Sequence, residues 1–274
     1  MKLAVVTSTP EVQLQIPVAL LTGTFAERMQ KAAQLGYDGV ELMIVQPAEL
    51  NAEEIRAAVL QHGLQVAAVA SGGIGFVDKL TLLNADEEVS RRAVERLHAL
   101  IDLAAQLNAP LVTIGGFRGR LAWGGPTARA RLIRILWKAA DQAAAQSVRL
   151  ALEPLNRYES DIVNTVEEGL TLIDVVGHSH LGLLLDTFHM NIEEPSFHDS
   201  LRRARQADRL WHVHLGDSNR LPPGQGHIDF AGIVSTLREI GYAGFLSAEL
   251  WPRPDPDTAA AETIKYMRRW LPHA

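Results

Sequence analysis

Apolar and polar positions alternate along this chain in two distinct rhythms. Short, nearly continuous apolar runs recur at Leu3–Val6, Gly39–Ile44, Gln65–Ala70, Leu111–Gly115, Leu150–Leu155, Leu181–Asp186, Trp211–Leu215 and Phe245–Leu250. Runs of this kind, apolar on both faces, are the pattern of strands buried in a parallel sheet. Between them the apolar residues fall at helical spacing, as in Leu97, Leu100, Ile101 and Ala104, and again in Leu132, Ile133, Leu136 and Ala140. Eight strands alternating with helices predict a parallel sheet with the helices outside it. Gly36, Gly63 and Gly241 stand where helices give way to strands and are expected to serve as helix C-caps. The first strand is followed by Thr7-Ser-Thr-Pro10, without the glycine-rich phosphate turn of a doubly wound sheet. The pattern therefore predicts an α/β fold of the (β/α)8 TIM-barrel type, one domain over residues 1–274.

Four of the later runs end on a carboxylate or an imidazole: Glu153, Asp186, His214 and Glu249, spaced 33, 28 and 35 residues apart. A carboxylate at the end of a buried strand is costly unless something pairs with it. Four such groups on four successive strand–helix units place their side chains on one rim of a barrel, where they can converge on one divalent metal. Two Glu, one Asp and one His form an oxygen-rich set suited to Mn2+, Mg2+ or Co2+, with Zn2+ less favoured. The chain has no Cys, which removes thiolate ligands and disulfides together.

Composition narrows the partners. With 26 basic and 32 acidic residues the net charge is -6, so no electrostatic footprint for a nucleic acid is expected. The first apolar stretch is too short for a signal-peptide core and no later run approaches a membrane span. A cytoplasmic protein without nucleic-acid or membrane partners is expected.

Polar residues crowd around the four ligand positions: Asn156, Arg157, Tyr158 and Glu159 after the fifth run, His189 after the sixth, and Asp217, Asn219 and Arg220 after the seventh. That density suits a polyhydroxylated ligand. His189 either orients a ligand oxygen or caps the segment that follows it, and Glu159 either faces the site or pairs with Arg157. His212 shares a strand face with His214 and is left out of the ligand set, as a supporting or barrel-core residue. Glu41 is read as ending the second strand, hydrogen-bonded beneath the site or paired with an Arg or the backbone. Two long connections, Ser71 to Asp86 and Gly115 to Pro126, are expected to cover the catalytic face. Within the second, Arg118 and Arg120 are either solvated surface or a pair able to bind phosphate or carboxylate. Trp251, Trp270 and the apolar residues of that loop are interface or lid.

The segments Leu152-Glu-Pro-Leu-Asn-Arg-Tyr-Glu159, Leu185-Asp-Thr-Phe-His-Met-Asn-Ile192 and His214-Leu-Gly-Asp-Ser-Asn-Arg-Leu-Pro-Pro-Gly-Gln-Gly226 resemble the D-tagatose/D-psicose 3-epimerase family of the xylose-isomerase-like TIM-barrel superfamily. The resemblance covers at least strands five to eight. It implies metal-dependent epimerisation of a ketose at C3 through an enediolate, with Mn2+ as the foremost metal candidate. It also implies that Glu153, Asp186, His214 and Glu249 hold the metal, that Glu153 and Glu249 carry the proton, and that Glu159, His189 and Arg220 contact the sugar around C1 to C3. Family members are dimers or tetramers, so a homodimer or homotetramer is expected. The chain departs from the family in carrying Asp217 where Glu is common. A ketose–aldose or hydroxypyruvate-type isomerase, on a sugar with or without phosphate, is the nearest alternative. An endonuclease-IV-like DNA repair enzyme and an inactive sugar-binding barrel are more distant ones.

Overall fold

The computed structural model describes residues 1–271. Eight parallel strands close on themselves in sequence order: β1 (Lys2–Ser8), β2 (Gly39–Met43), β3 (Gln65–Ala70), β4 (Leu111–Ile114), β5 (Arg149–Leu152), β6 (Leu181–Asp186), β7 (Leu210–Leu215) and β8 (Phe245–Ala248). Each apolar run thus becomes one strand, with ends that shift by at most three residues. β1 pairs with β8 through Lys2↔Phe245 to Val5↔Ala248, which seals the barrel. The main helices are α1 (Phe25–Leu35), α2 (Ala52–Gln61), α3 (Glu87–Gln106), α5 (Ala128–Ala145), α6 (Val166–Val176), α8 (Phe197–Gln206), α9 (Phe230–Glu239) and α10 (Pro256–Met267). Two short ones, α4 (Leu121–Gly124) and α7 (Thr187–Glu193), lie in loops on the C-terminal rim of the strands.

The period of two along each strand divides the core. Outward residues such as Val40, Val69, Val112, Leu152, Leu183 and Val213 pack with the helices in one large apolar cluster. Inward residues Ala68, Leu111, Ala151 and Leu184 form a small separate cluster inside the barrel. Continuing up the same inward rows brings Ala151 to Glu153, Leu184 to Asp186 and His212 to His214. The apolar interior therefore gives way to polar groups toward the C-terminal rim, where (β/α)8 enzymes place their chemistry.

The capping residues act as the sequence predicts. Gly36 is the C-cap of α1 with φ 90°, and Gly63 and Gly241 follow α2 and α9 with φ 72° and 67°. At the N-termini, Thr24, Asn51, Asp86, Thr165, Ser196, Asp229 and Asp255 each accept a hydrogen bond from the first helical turn.

The two long connections do cover the rim. Between β3 and α3 a single π-helical turn spans Ile74–Asp78, and between β4 and α4 a 3-10 turn spans Gly116–Arg118. They are tied to one another by Leu82 N–H to Phe117 O, Leu83 N–H to Arg118 O, and a parallel bridge between Leu83 and Gly119.

Candidate active site and metal centre

Glu153 stands one residue past β5, Asp186 is the last residue of β6, His214 lies next to the end of β7, and Glu249 follows β8 directly. All four are buried, and a donor atom from each lies within 4.8 Å of those of the other three. His214 Nδ1 is 3.4 Å from Glu249 Oε2 and 3.7 Å from Glu153 Oε1. Glu153 can reach this position because residue 115 is glycine: a Cβ there would stand 2.3 Å from Glu153 Oε2.

The electrostatics of the cluster ask for a cation. Burial pushes the carboxyl of Asp186 up to about 8, and burial together with neighbouring Glu249 raises that of Glu153. Burial acts on Glu249 in the same direction, but His214 and Arg220 outweigh it and hold this carboxyl below its ordinary value. His214 is raised well above the ordinary imidazole value: burial opposes its charge, and Glu41 and Glu249 favour it more strongly. Buried and without a hydrogen-bond partner are Glu153 Oε1, Asp186 Oδ2, His214 Nδ1 and His189 Nε2. Orphaned buried polar atoms are costly. Four of them lie around one point, three on side chains of the metal-ligating type, and this donor set fits a divalent ion.

The flanking polar residues resolve the alternatives left open by the sequence. His189 does not cap α7; Asp186 does, accepting from Phe188 N–H at 2.8 Å. His189 Nδ1 instead accepts from the Asn156 amide side chain at 2.8 Å and from its backbone N–H at 3.3 Å. That assigns the hydrogen to Nε2, which points into the cluster 3.8 Å from Glu153 Oε1 and from Asp186 Oδ2. Burial and the nearby Arg220 charge push this imidazole well below its ordinary value, so it is neutral.

Arg220 Nη1 donates to Glu159 Oε1 at 3.1 Å and Nη2 to Glu249 Oε2 at 3.3 Å, while its guanidinium lies 4.9 Å from the centre of the Phe188 ring. Its backbone is left-handed, φ 60°, held by Arg220 N–H to Asp217 O and by Trp251 N–H to Arg220 O, both at 2.8 Å. A non-glycine residue kept in that region is a stored strain of a kind that gathers at functional sites. Arg157 pairs with Glu193 through both ends of the carboxylate and leaves Glu159 to Arg220. Asp217 organises the loop: its carboxylate accepts from the N–H groups of Ser218, Gly224 and Ile228 at 2.7, 2.8 and 3.1 Å.

Two expectations need correction. Arg118 is neither solvated nor free to bind an anion. It is fully buried, and its guanidinium donates to the carbonyls of Gly115, Glu153, Ile162 and Val163 and to Ser160 Oγ, which pins the β4 and β5 loops together. The half-buried Arg120 behaves differently, donating to Tyr158 O and lying over the Trp123 ring. Glu41 does not end its strand; it is the third of the five residues of β2, and its partners are His212 and His214.

Above the cluster opens a cavity of about 530 Å³, with Glu153, His214, Glu249, Glu159 and Arg220 at its polar end. Its wall includes Phe76, Phe117 and Trp123 from the covering loops and Leu155 from the segment after β5; Trp251 and Trp270 do not line it. Gly115, which admits Glu153, and Phe188, which carries Arg220, were not singled out from the sequence. Neither carries a chemical signal of its own.

A second group, Glu41, His212 and His214, also lies close enough to hold an ion. Its atoms satisfy one another at hydrogen-bonding distance, His212 Nε2 and His214 Nε2 standing 2.8 and 3.1 Å from Glu41. It is therefore a support for the first cluster.

Comparison with known proteins gives the family of this barrel. The family model described as Xylose isomerase-like TIM barrel matches residues 29–270. The chain is 34% identical to the D-psicose 3-epimerase of Enterocloster bolteae, over 90% of this chain and 83% of that one. It is 36% identical to the L-ribulose 3-epimerase of Mesorhizobium japonicum, over 79% and 72%. A solved structure of L-ribulose 3-epimerase superimposes with a TM-score of 0.80 at 26% identity, over 98% of this chain and 94% of that one. The chain belongs to the xylose isomerase-like TIM barrel family.

Proposed function

We propose that the protein is a divalent-metal-dependent sugar epimerase that inverts C3 of a ketose. The observation that carries this reading is the meeting of two buried glutamates, Glu153 and Glu249, with Asp186 and His214 in one cluster, three of whose members, Glu153, His214 and Glu249, line the polar end of a cavity. Similarity to D-psicose and L-ribulose 3-epimerases supplies the reaction class. The hydrogen on a carbon beside a ketone is weakly acidic, and a divalent cation, which Glu153, Asp186, His214 and Glu249 would hold, would supply positive charge to offset the negative charge left on its removal. Mn2+ is the ion we assign first, with Mg2+ and Co2+ as substitutes, on the hardness of a three-carboxylate, one-imidazole set.

In this scheme one glutamate takes the C3 proton and the other delivers a proton to the opposite face, so the electron pair left by the first C–H bond forms the second and C3 is inverted. The roles exchange for the reverse reaction. His189, neutral with its hydrogen on Nε2, donates to a sugar oxygen. Arg220 donates to a second oxygen while Glu159 and Phe188 hold the guanidinium in place. Assembly as a homodimer or homotetramer rests on the family resemblance alone, and location in the cytoplasm is an expectation from the sequence pattern; among the described residues no helix is long and apolar enough to cross a membrane.

Glu153→Gln and Glu249→Gln test the assignment. Each is expected to lower kcat by about 10³-fold, the range of a lost general acid or base, with the fold kept. Retention of most activity by either variant removes that residue from the proton transfer.

A further inference from the structure

Beneath the proposed metal centre lies a buried carboxylate with no cationic side chain to meet it except histidine. Glu41 is fully buried on β2, and among the described residues its side-chain partners are His212 and His214 on β7, on the far side of the barrel. His214 Nε2 stands 3.1 Å from both carboxylate oxygens. His212 Nε2 stands 2.8 Å from Glu41 Oε2 and 2.9 Å from Ser247 Oγ, and Ser247 is the register partner of His214 on β8. His214 Nδ1, the other nitrogen of that ring, is buried without a partner and faces Glu153 and Glu249.

A neutral imidazole has one N–H and one lone-pair nitrogen. An ionised carboxylate accepts hydrogen bonds and donates none, so a carboxylate against Nε2 places the hydrogen there and leaves the lone pair on Nδ1. Its negative charge also makes that lone pair a stronger donor. Among the described residues no Arg or Lys pairs with this carboxylate, and His212, whose Nε2 also meets Ser247 Oγ, holds its Oε2.

We propose that Glu41, held by His212, whose Nε2 also meets Ser247 Oγ, is a positioning residue of the metal centre: it sets the tautomer of His214, directs Nδ1 at the ion and strengthens metal binding without touching the metal. This rests on the metal site read above. The alternative role is structural, a polar layer that merely satisfies the barrel interior. The two differ in what they move. A structural role lowers the melting temperature of the metal-free protein and leaves metal affinity unchanged, whereas a positioning role weakens the metal.

The test is titration of the full-length, metal-free protein with Mn2+ by calorimetry, for the unsubstituted chain, Glu41→Gln and Ser247→Ala. Glu41→Gln keeps an acceptor and removes the charge; it is expected to raise Kd for Mn2+ by about 10- to 100-fold, the range for lost outer-shell partners of a metal-bound histidine. Ser247→Ala is expected to raise it by a smaller factor, about threefold. In the Co2+-loaded protein the proton spectrum should show one exchangeable, strongly shifted imidazole N–H that is protected from solvent, and Glu41→Gln should lose that protection. A Kd within twofold of the native value for Glu41→Gln overturns the proposal. If Glu41→Gln does not fold, an unchanged Kd in Ser247→Ala overturns it. Absence of Mn2+ binding by the unsubstituted chain overturns the metal site itself, and this role with it.

Discussion

Replacing Gly115 by alanine should disable the site by moving one atom. The added Cβ would lie 2.3 Å from Glu153 Oε2, whereas ordinary contact begins at 3.4 Å, so the carboxylate has to retreat by roughly 1 Å. Residue 115 has φ -100°, outside the left-handed region, so the contact and not a left-handed backbone drives the effect. The atom displaced is the flexible end of a side chain, and the barrel around it can remain as it is. Metal–ligand distances tolerate only about 0.2 Å, and a misplacement near 1 Å in a catalytic group costs on the order of 100-fold. We therefore expect Gly115→Ala to lower kcat/KM for C3 epimerisation about 100-fold, equivalent to about 2.7 kcal/mol of transition-state stabilisation. Its Mn2+ affinity should fall in parallel, with a circular dichroism spectrum and a Tm close to native. Activity and Mn2+ affinity both within threefold of native would refute the reasoning, because they would show that Glu153 is not required where the structure holds it.

Two further outcomes follow from the same geometry. Arg220→Ala should raise KM and lower kcat by about tenfold or more while metal content stays native, since the guanidinium meets Glu159 and Glu249 but is not a ligand; loss of metal in this variant, measured by elemental analysis, would reassign it. Stabilisation by Mn2+ should also grow with pH. The Asp186 carboxyl is raised from 3.8 to about 8 in the folded, metal-free protein, so the stability linked to its proton is full below about pH 4 and is lost as pH rises toward 8. Metal binding must displace that proton, and the one on His214, whose value is also raised. The Mn2+-induced rise in Tm, read by thermal melts, should therefore increase from pH 6 to pH 8; a rise independent of pH would contradict the assignment of these two residues.

The strands and the four candidate ligands were legible in the sequence for a common reason. Strands buried on both faces read as unbroken apolar runs, so Glu153, Asp186, His214 and Glu249 stand out at their ends as charges with no local excuse. What stayed illegible is pairing across the barrel. Glu41 and His214 are 173 residues apart, and only closure of β1 on β8 brings their side chains together in the interior. Arg157 was nearer in sequence to Glu159 than to Glu193, yet α7 places Glu193 beside it. In the sequence Arg118 reads as solvated surface or as an anion-binding group because nothing in its glycine-rich loop offers it a partner; its five buried acceptors come from backbone and hydroxyl groups that carry no mark in the sequence. The same limit explains why Gly115 drew no notice, since what makes it necessary is a carboxylate 38 residues away.

The most direct test of the account is to incubate the Mn2+-loaded protein with a ketohexose in D2O and locate the label by NMR. The account predicts deuterium at C3 of the recovered sugar together with the C3 epimer as product, and loss of both with Glu153→Gln or Glu249→Gln. An aldose product labelled at C2, or turnover that leaves C3 unlabelled, would contradict it.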